Sequence, residues 1–229
     1  VEKQEILINI EKHVVDFRIW VENNFTSDQI NNEYADYAGY PLWNEIEEDL
    51  EKLFTSVKDL NCLQTEILDK IIFFIARQWD IGIILNWFNK GGEDISGVAM
   101  TQEQLIVLAE RGILSKYWDA RYQFSASLFK VDDSLKDKAI TLLLKYHKDN
   151  TEDVRSHALR SLNRFSYSKI NDLLIESWDY GEEFERIECL KIWRERDKDL
   201  FNQYFKVAKN DNRETIVEYV NQLNSGNKA

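Results

Sequence analysis

Apolar residues recur along this chain at steps of three and four, the period of one helix face. Ile6, Leu7, Ile10, Val14, Phe17 and Val21 form the first such stripe and predict a helix over about 2–22. Residues 23–40, rich in Asn, Asp and Tyr and closing on Gly39-Tyr40-Pro41, read as a long ordered loop or a short helix between breakers. Ile46, Leu50, Leu53, Val57 and Leu60 then resume the helical step. Glu45, Glu47, Glu48, Asp49 and Glu51 crowd its first turns, where acids oppose the positive end of the helix dipole. The span 65–79 is the most apolar (Leu68, Ile71, Ile72, Phe73, Phe74, Ile75), and a helix apolar on most sides belongs at the centre of its layer. A second short helix is expected over 80–88. Gly91, Gly92 and Gly97 make 89–97 the clearest breaker, read as a repeat boundary because apolar helices resume on both sides.

From Thr101 the pattern becomes regular. Thr101-Gln102-Glu103-Gln104 has the form of a capping box. Beyond it, helices are expected in antiparallel pairs joined by short links: 101–111 with 117–130, 134–147 with 152–165, 168–178 with 182–195, and 197–209 with 212–223. The second helix of each pair repeats one spacing. Arg155 precedes Ala158, Leu159 and Leu162; Arg186 precedes Cys189, Leu190 and Trp193; Arg213 precedes Ile216, Val217 and Val220; and Arg121 precedes Phe124, Ser125 and Leu128, with Ser125 the imperfect member. The four arginines stand 34, 31 and 27 residues apart, and self-similarity at such a period marks stacked repeats that cannot bury their apolar faces alone.

Composition narrows the fold and the partners. One proline and eight glycines in 229 residues leave few sites for the turns of a β-sandwich, which favours an all-α chain. The net charge of -12 is concentrated early, with fourteen acids against five bases in residues 1–60. Such a chain repels phosphate, so general nucleic-acid binding would need a strong local basic patch. Cys62 and Cys189 each sit in an apolar helical pattern and read as buried free thiols of a reducing compartment. The run Ile67 to Ile75 is broken by Asp69 and Lys70, no stretch reaches the ~18 apolar residues of a membrane span, and no charged-then-apolar leader opens the chain. A cytoplasmic protein without a membrane partner is the expectation.

Asp149-Asn150 in a turn, Asp153-Val154-Arg155 opening a second helix and Ala158-Leu159 within it resemble HEAT-type repeats, the two-helix units of α-solenoids. The resemblance covers 100–223, and 1–99 only by helix content. It implies a right-handed HEAT-like superhelix of antiparallel helix pairs. Residues 1–99 would form an acidic helical cap with a first pair, and 100–229 one continuous solenoid. The closing units, 178–186 and 211–214, look like those of bacterial HEAT-repeat proteins, some of which are thought to serve as immunity or adaptor components.

In such solenoids the second helix lines the concave side that meets the ligand. On a wheel of 100° per residue, the outward line then runs Tyr122, Ala126 and Phe129; Ser156, Arg160 and Asn163; Ile187, Lys191 and Arg194; Glu214, Glu218 and Asn221. The implied surface has an aromatic beginning, a basic middle that includes Arg164, and an acidic end. Arg160, Arg164, Lys191 and Arg194 are candidates for holding an acidic partner, against the commoner reading of a solvated helix face. Arg121, Arg155, Arg186 and Arg213 lie about 40° from the apolar centre of the wheel. Each is expected to lay its stem on the core edge and pair its guanidinium with a turn carboxylate or carbonyl of a neighbouring repeat, the alternative being a row that binds a ligand. Tyr34, Tyr37, Tyr40 and Trp43 could be interface aromatics or the packing at an open solenoid end. Trp79-Asp80, Trp118-Asp119 and Trp178-Asp179 read as core tryptophans followed by a capping Asp.

The search for chemistry is thin. His13, His147 and His157 fall on three different predicted helices, neither cysteine joins them in a zinc pattern, and Gly91-Gly92 lacks the rest of a phosphate loop. No metal, cofactor or catalytic residue is expected. The expected function is non-catalytic protein binding on the concave face, as an immunity or adaptor protein whose partner is a toxin or complex subunit. The alternative is an enzyme of the HEAT-like alkylation-repair DNA glycosylase type, which would need a basic groove.

Overall fold

A computed structural model describes residues 2–31, 37–78, 83–88 and 100–226. Among them the chain is all-helical, with no strand. Its contacts divide it into two compact units, 1–135 and 136–229. The hairpin of Gln102–Gly112 and Trp118–Ser127 therefore lies with the N-terminal helices; the boundary expected at 99 falls outside the described residues. The units differ in charge: 1–135 carries twelve Lys and Arg against 24 Asp and Glu, and 136–229 carries 17 of each, so the whole excess of -12 sits in the first unit. No described helix is long and apolar enough to cross a membrane.

In the first unit the helices are α1 (Glu2–Asn24), α2 (Ser27–Asn31), α3 (Trp43–Ser56), α4 (Thr65–Arg77), α5 (Ile83–Asn86), α6 (Gln102–Gly112) and α7 (Trp118–Ser127). The apolar stripe of α1 (Ile6, Ile10, Val14, Phe17, Val21) is buried where α1 packs on α3 and α4. As its composition predicts, α4 is central: Ile71, Ile72, Phe74 and Ile75 are at most 1% exposed, and the helix packs on α1, α6 and α7. Two buried glutamines close helix ends. Gln104 donates from Nε2 to the carbonyls of Phe54 (2.7 Å) and Val57 (2.8 Å), and Gln123 donates to that of Ile75 (2.6 Å). These carbonyls lie in or just beyond the last turns of α3 and α4, where the chain has few partners of its own to offer. The capping box at Thr101 is formed, with both reciprocal bonds to Gln104.

The second unit holds α8 (Lys136–Tyr146), α9 (Glu152–Arg164), α10 (Ile170–Tyr180), α11 (Glu183–Arg196), α12 (Lys198–Ala208) and α13 (Glu214–Gly226). They form three hairpins, every bound within three residues of the spans the spacing predicts. The second helices are neighbours, α9 against α11 and α11 against α13, while α10 packs on α9 and α11, and α12 on α11 and α13. Helix α11 is thus walled on most sides. Its Ile187, Cys189, Leu190, Ile192 and Trp193 are all buried. Helix α9 ends on Ser166 at φ 54°, with Tyr167 N–H bonded to the Leu162 carbonyl and Ser166 N–H to that of Asn163. This is a left-handed helix stop, made by a serine where glycine is usual.

Candidate partner-binding surface

The recurrent arginines do one local job. Arg121 donates to the Ser115 carbonyl (2.7 Å), Arg155 to that of Asp149 (3.0 Å), and Arg186 to those of Gly181 and Asp179 (both 3.2 Å); Arg213 holds Asp211 through two bonds of 2.7 Å. Each therefore fastens the turn that precedes its own helix. In the second unit the next repeat joins in: Arg155 Nε donates to Glu185 (2.8 Å) and its NH2 to Glu182 (3.1 Å), and Arg186 approaches Asp211 at 3.7 Å. The partner expected in a neighbouring repeat is present for Arg155 and Arg186, whereas the carbonyl bonds and both Arg213 bonds lie within each arginine's own hairpin. Glycine is required at 181, because a Cβ there would collide with the Ser177 carbonyl and stand 2.8 Å from the Glu185 carboxylate.

An open cleft of about 600 Å³ at the α12–α13 turn is lined by Arg186, Val207, Asn210, Asp211, Asn212 and Arg213. Its two guanidiniums already share Asp211, and the Asp179 and Glu183 charges lie beside them. It terminates the ladder and offers an incoming anion little.

The basic residues of α9 and α11 are built around a buried acid. Arg160 grips Glu188 with Nε (2.8 Å) and NH2 (2.5 Å), and Lys191 reaches the same carboxylate at 3.5 Å. Glu188 is 3% exposed. Burial pushes its carboxyl up, but the bonds and charge of Arg160 and Lys191 outweigh this and hold it below the usual carboxylate range. Arg160 and Lys191 are therefore tied to a buried acid and do not form a purely solvated helix face. Arg160 and Lys191 still leave 38% and 44% of their side chains exposed, and Arg164 and Arg194 are exposed on the same two helices.

Other expected positions fall differently. Ser156 and Ile187, assigned outward, are buried because α11 packs across that side of α9 and is itself covered. Tyr122 and Phe129 are half-buried in the first unit, Tyr122 against the Trp118 ring. Tyr37 is 7% exposed among Phe17, Phe25 and the Arg77 guanidinium, and its carbonyl accepts from Trp43 Nε1; it packs the unit and presents no ring outward. Tyr34, Trp79 and Asp80 lie outside the described residues. Asp119 and Asp179 cap no helix: Asp119 pairs with Arg77 at 3.5 Å, and Asp179 contributes its backbone carbonyl to Arg186. Cys189 is buried as expected, but Cys62 is exposed, on a 3-10 turn just past the point where the apolar stripe of α3 ends.

No family model, curated protein or solved structure matches this chain. Its chemistry must therefore be read from its own residues. Among those described, no group of three or more His, Cys, Asp and Glu could hold a metal ion. The histidines are tied into packing. His13 bonds to Asp49 (3.1 Å) between α1 and α3. Because Arg160 NH1 can only donate to His157 Nε2 (3.4 Å), the His157 proton sits on Nδ1, which donates to the Asp153 carbonyl (3.0 Å).

Burial lowers the pKa of both His147 and His157, and for His157 the Arg160 charge adds to it; at His147 the attraction of Glu185 and Glu176 does not reverse it. A folded-state pKa below the unfolded value of about 6.5 means that the unfolded chain binds more protons in that window, so stability is full above it and falls as pH drops through it. The midpoint of thermal unfolding should decline from pH 7.5 to 5.5, and less steeply in His147→Gln/His157→Gln. Parallel slopes would show that these histidines are not the source.

Proposed function

We propose that this protein is a non-catalytic, protein-binding helical-repeat protein of the HEAT-like right-handed type, acting as an immunity or adaptor component. The second-helix face of its C-terminal unit would receive an acidic partner. One observation carries the reading: Arg160 and Lys191 are fixed on the buried Glu188, with Arg164 and Arg194 exposed on the same pair of helices. Two cations share that one buried carboxylate, in a unit of zero net charge. Cations held in place by a buried acid lose less side-chain entropy on docking than free ones, and Arg is enriched at binding hot spots.

Charge reversal at Arg164 and Arg194 leaves the Glu188 cluster intact and so separates binding from folding. A tagged wild-type chain should recover an acidic protein in stoichiometric amount from its native cells. The Arg164→Glu/Arg194→Glu variant should recover at most about one-tenth as much, a loss of roughly 1.4 kcal/mol, with unchanged helical circular dichroism. The recovery should also fall between 0.05 and about 0.3 M salt, as screening requires. A stoichiometric partner retained by the variant would refute this face as the site.

A further inference from the structure

Helix α1 is apolar on two opposite sides. Ile6, Ile10, Val14, Phe17 and Val21 are buried, yet Ile8, Val15 and Ile19 are 55%, 53% and 51% exposed. At 100° per residue these three fall within about 40° of one another and roughly 160° from the centre of the buried stripe. Their spacing, seven then four residues, is the anchor pattern of a helix that lays its face into a groove or along another helix. The other strongly exposed large apolar residues, Leu114, Tyr180, Phe184 and Val207, belong to other elements of the chain. A row of three on one 23-residue helix is different in kind.

Charge selects what could cover it. The row is edged by Glu5, Glu11, Asp16 and Glu22 against Lys12 and Arg18; Lys12 is engaged by Asp16 (3.8 Å) and Glu11 by Lys70 (2.6 Å), which leaves Glu5 and Glu22 as the acids for a partner. The whole first unit has twice as many acids as bases. A second copy fits poorly: pairing two α1 helices antiparallel with Ile8 opposite Ile19 sets Glu5 against Glu22 and Glu11 against Asp16, and unites two units that each carry the full charge of -12. An anionic lipid surface is repelled by the same field.

We infer that the Ile8, Val15 and Ile19 face of α1 docks a basic amphipathic helix of another protein, whose apolar stripe meets this row while its Lys and Arg flanks face Glu5 and Glu22. The site is independent of the α9–α11 face. Either can fail without the other.

The probe is a labelled 21-residue Leu/Lys peptide with leucines at steps of three and four, and its counterpart with Glu in place of Lys. Anisotropy titrations would compare the full-length chain with Ile8→Asp/Val15→Asp/Ile19→Asp and with Ile8→Gln/Val15→Gln/Ile19→Gln. The Gln variant keeps charge and helix propensity and decides the matter if the Asp variant does not fold. The Leu/Lys peptide should bind the wild type and lose at least tenfold in affinity to both variants, while the Glu peptide does not bind. Affinity unchanged or raised in the Asp variant would mean bulk charge alone and overturn the inference, as would equal binding of the Glu peptide. A wild-type dimer in sedimentation that the variants abolish would assign the row to a second copy. Co-sedimentation with phosphatidylglycerol vesicles, lost in the variants, would assign it to lipid.

Discussion

Replacing Arg155 by methionine should destabilise the C-terminal unit by about 3–5 kcal/mol, the cost of leaving a buried carboxylate without its cation. Glu185 has 3% of its side chain exposed and takes a 2.8 Å bond from Arg155 Nε. It has little space to reorganise, since Gly181 lies directly against its carboxylate. The Glu182 arm of the same guanidinium is 66% exposed and contributes well under 1 kcal/mol, so Glu182→Gln should be nearly silent. Removing both ends tests the mechanism. In Arg155→Met/Glu185→Leu no charge is stranded, and stability should return to within about 1–2 kcal/mol of wild type, because an apolar pair of similar volume can replace a buried ion pair at little cost. Urea unfolding followed by circular dichroism, with hydrogen exchange of α9 and α11 amides to localise the loss, measures wild type, Arg155→Met, Glu185→Leu, their double variant and Glu182→Gln. A single-variant cost below about 1 kcal/mol, or strict additivity in the cycle, would reduce the ladder to surface decoration.

The ladder was legible because its geometry is local. An arginine about 40° off the apolar centre of its helix, preceded by a tight turn, reaches that turn's carbonyls, as Arg121, Arg155 and Arg186 all do; their reach to the next hairpin, seen for Arg155 and Arg186, depends on packing. Helix boundaries were legible for the same reason. The burial of Glu185 and Glu188 was not, because acids near the start of a helix are usually accounted for by its dipole. Here their depth is set by α9, whose Arg155 and Arg160 cover them from about thirty positions away in sequence. The outward line failed at Ser156 and Ile187 for a related cause: a wheel drawn on one helix cannot show how wide its neighbour is.

The first unit hid its features differently. Tyr37 lies in a segment rich in polar residues, and only the fold brings Phe17, Phe25 and Arg77 around it. On α1 one strong stripe explained the helix, so Ile8, Val15 and Ile19 went unread although their spacing was as regular. Total charge was visible, but not its partition. The early acids show the charge concentrated in residues 1–60, and the compact units place the whole excess in the first, with a balanced C-terminal unit. A unit with zero net charge can carry a basic patch without opposing its own field, whereas the first unit, with twice as many acids as bases, opposes one.

Trp193→Ala should cost about 3–5 kcal/mol, the range for emptying a large aromatic site in a packed core. The ring is fully buried in α11, stacked on Tyr204 at 4.3 Å with 9° between planes, and its centroid lies 6.0 Å from that of Trp178. It links the first helix of one hairpin to that of the next through the helix they share, so its loss should loosen α10 and α12 together. Phenylalanine gives the discriminating comparison. Trp193 Nε1 is buried and has no hydrogen-bond partner among the described residues, so the native indole already bears a desolvation penalty. Trp193→Phe keeps the stack and removes that donor, and should cost less than half as much as alanine. Tyr204→Ala should then be sub-additive with Trp193→Ala, since the second truncation removes a contact already gone. If phenylalanine proved as damaging as alanine, the indole N–H would have to be satisfied in solution, and the stabilisation assigned to ring packing would belong to that bond instead.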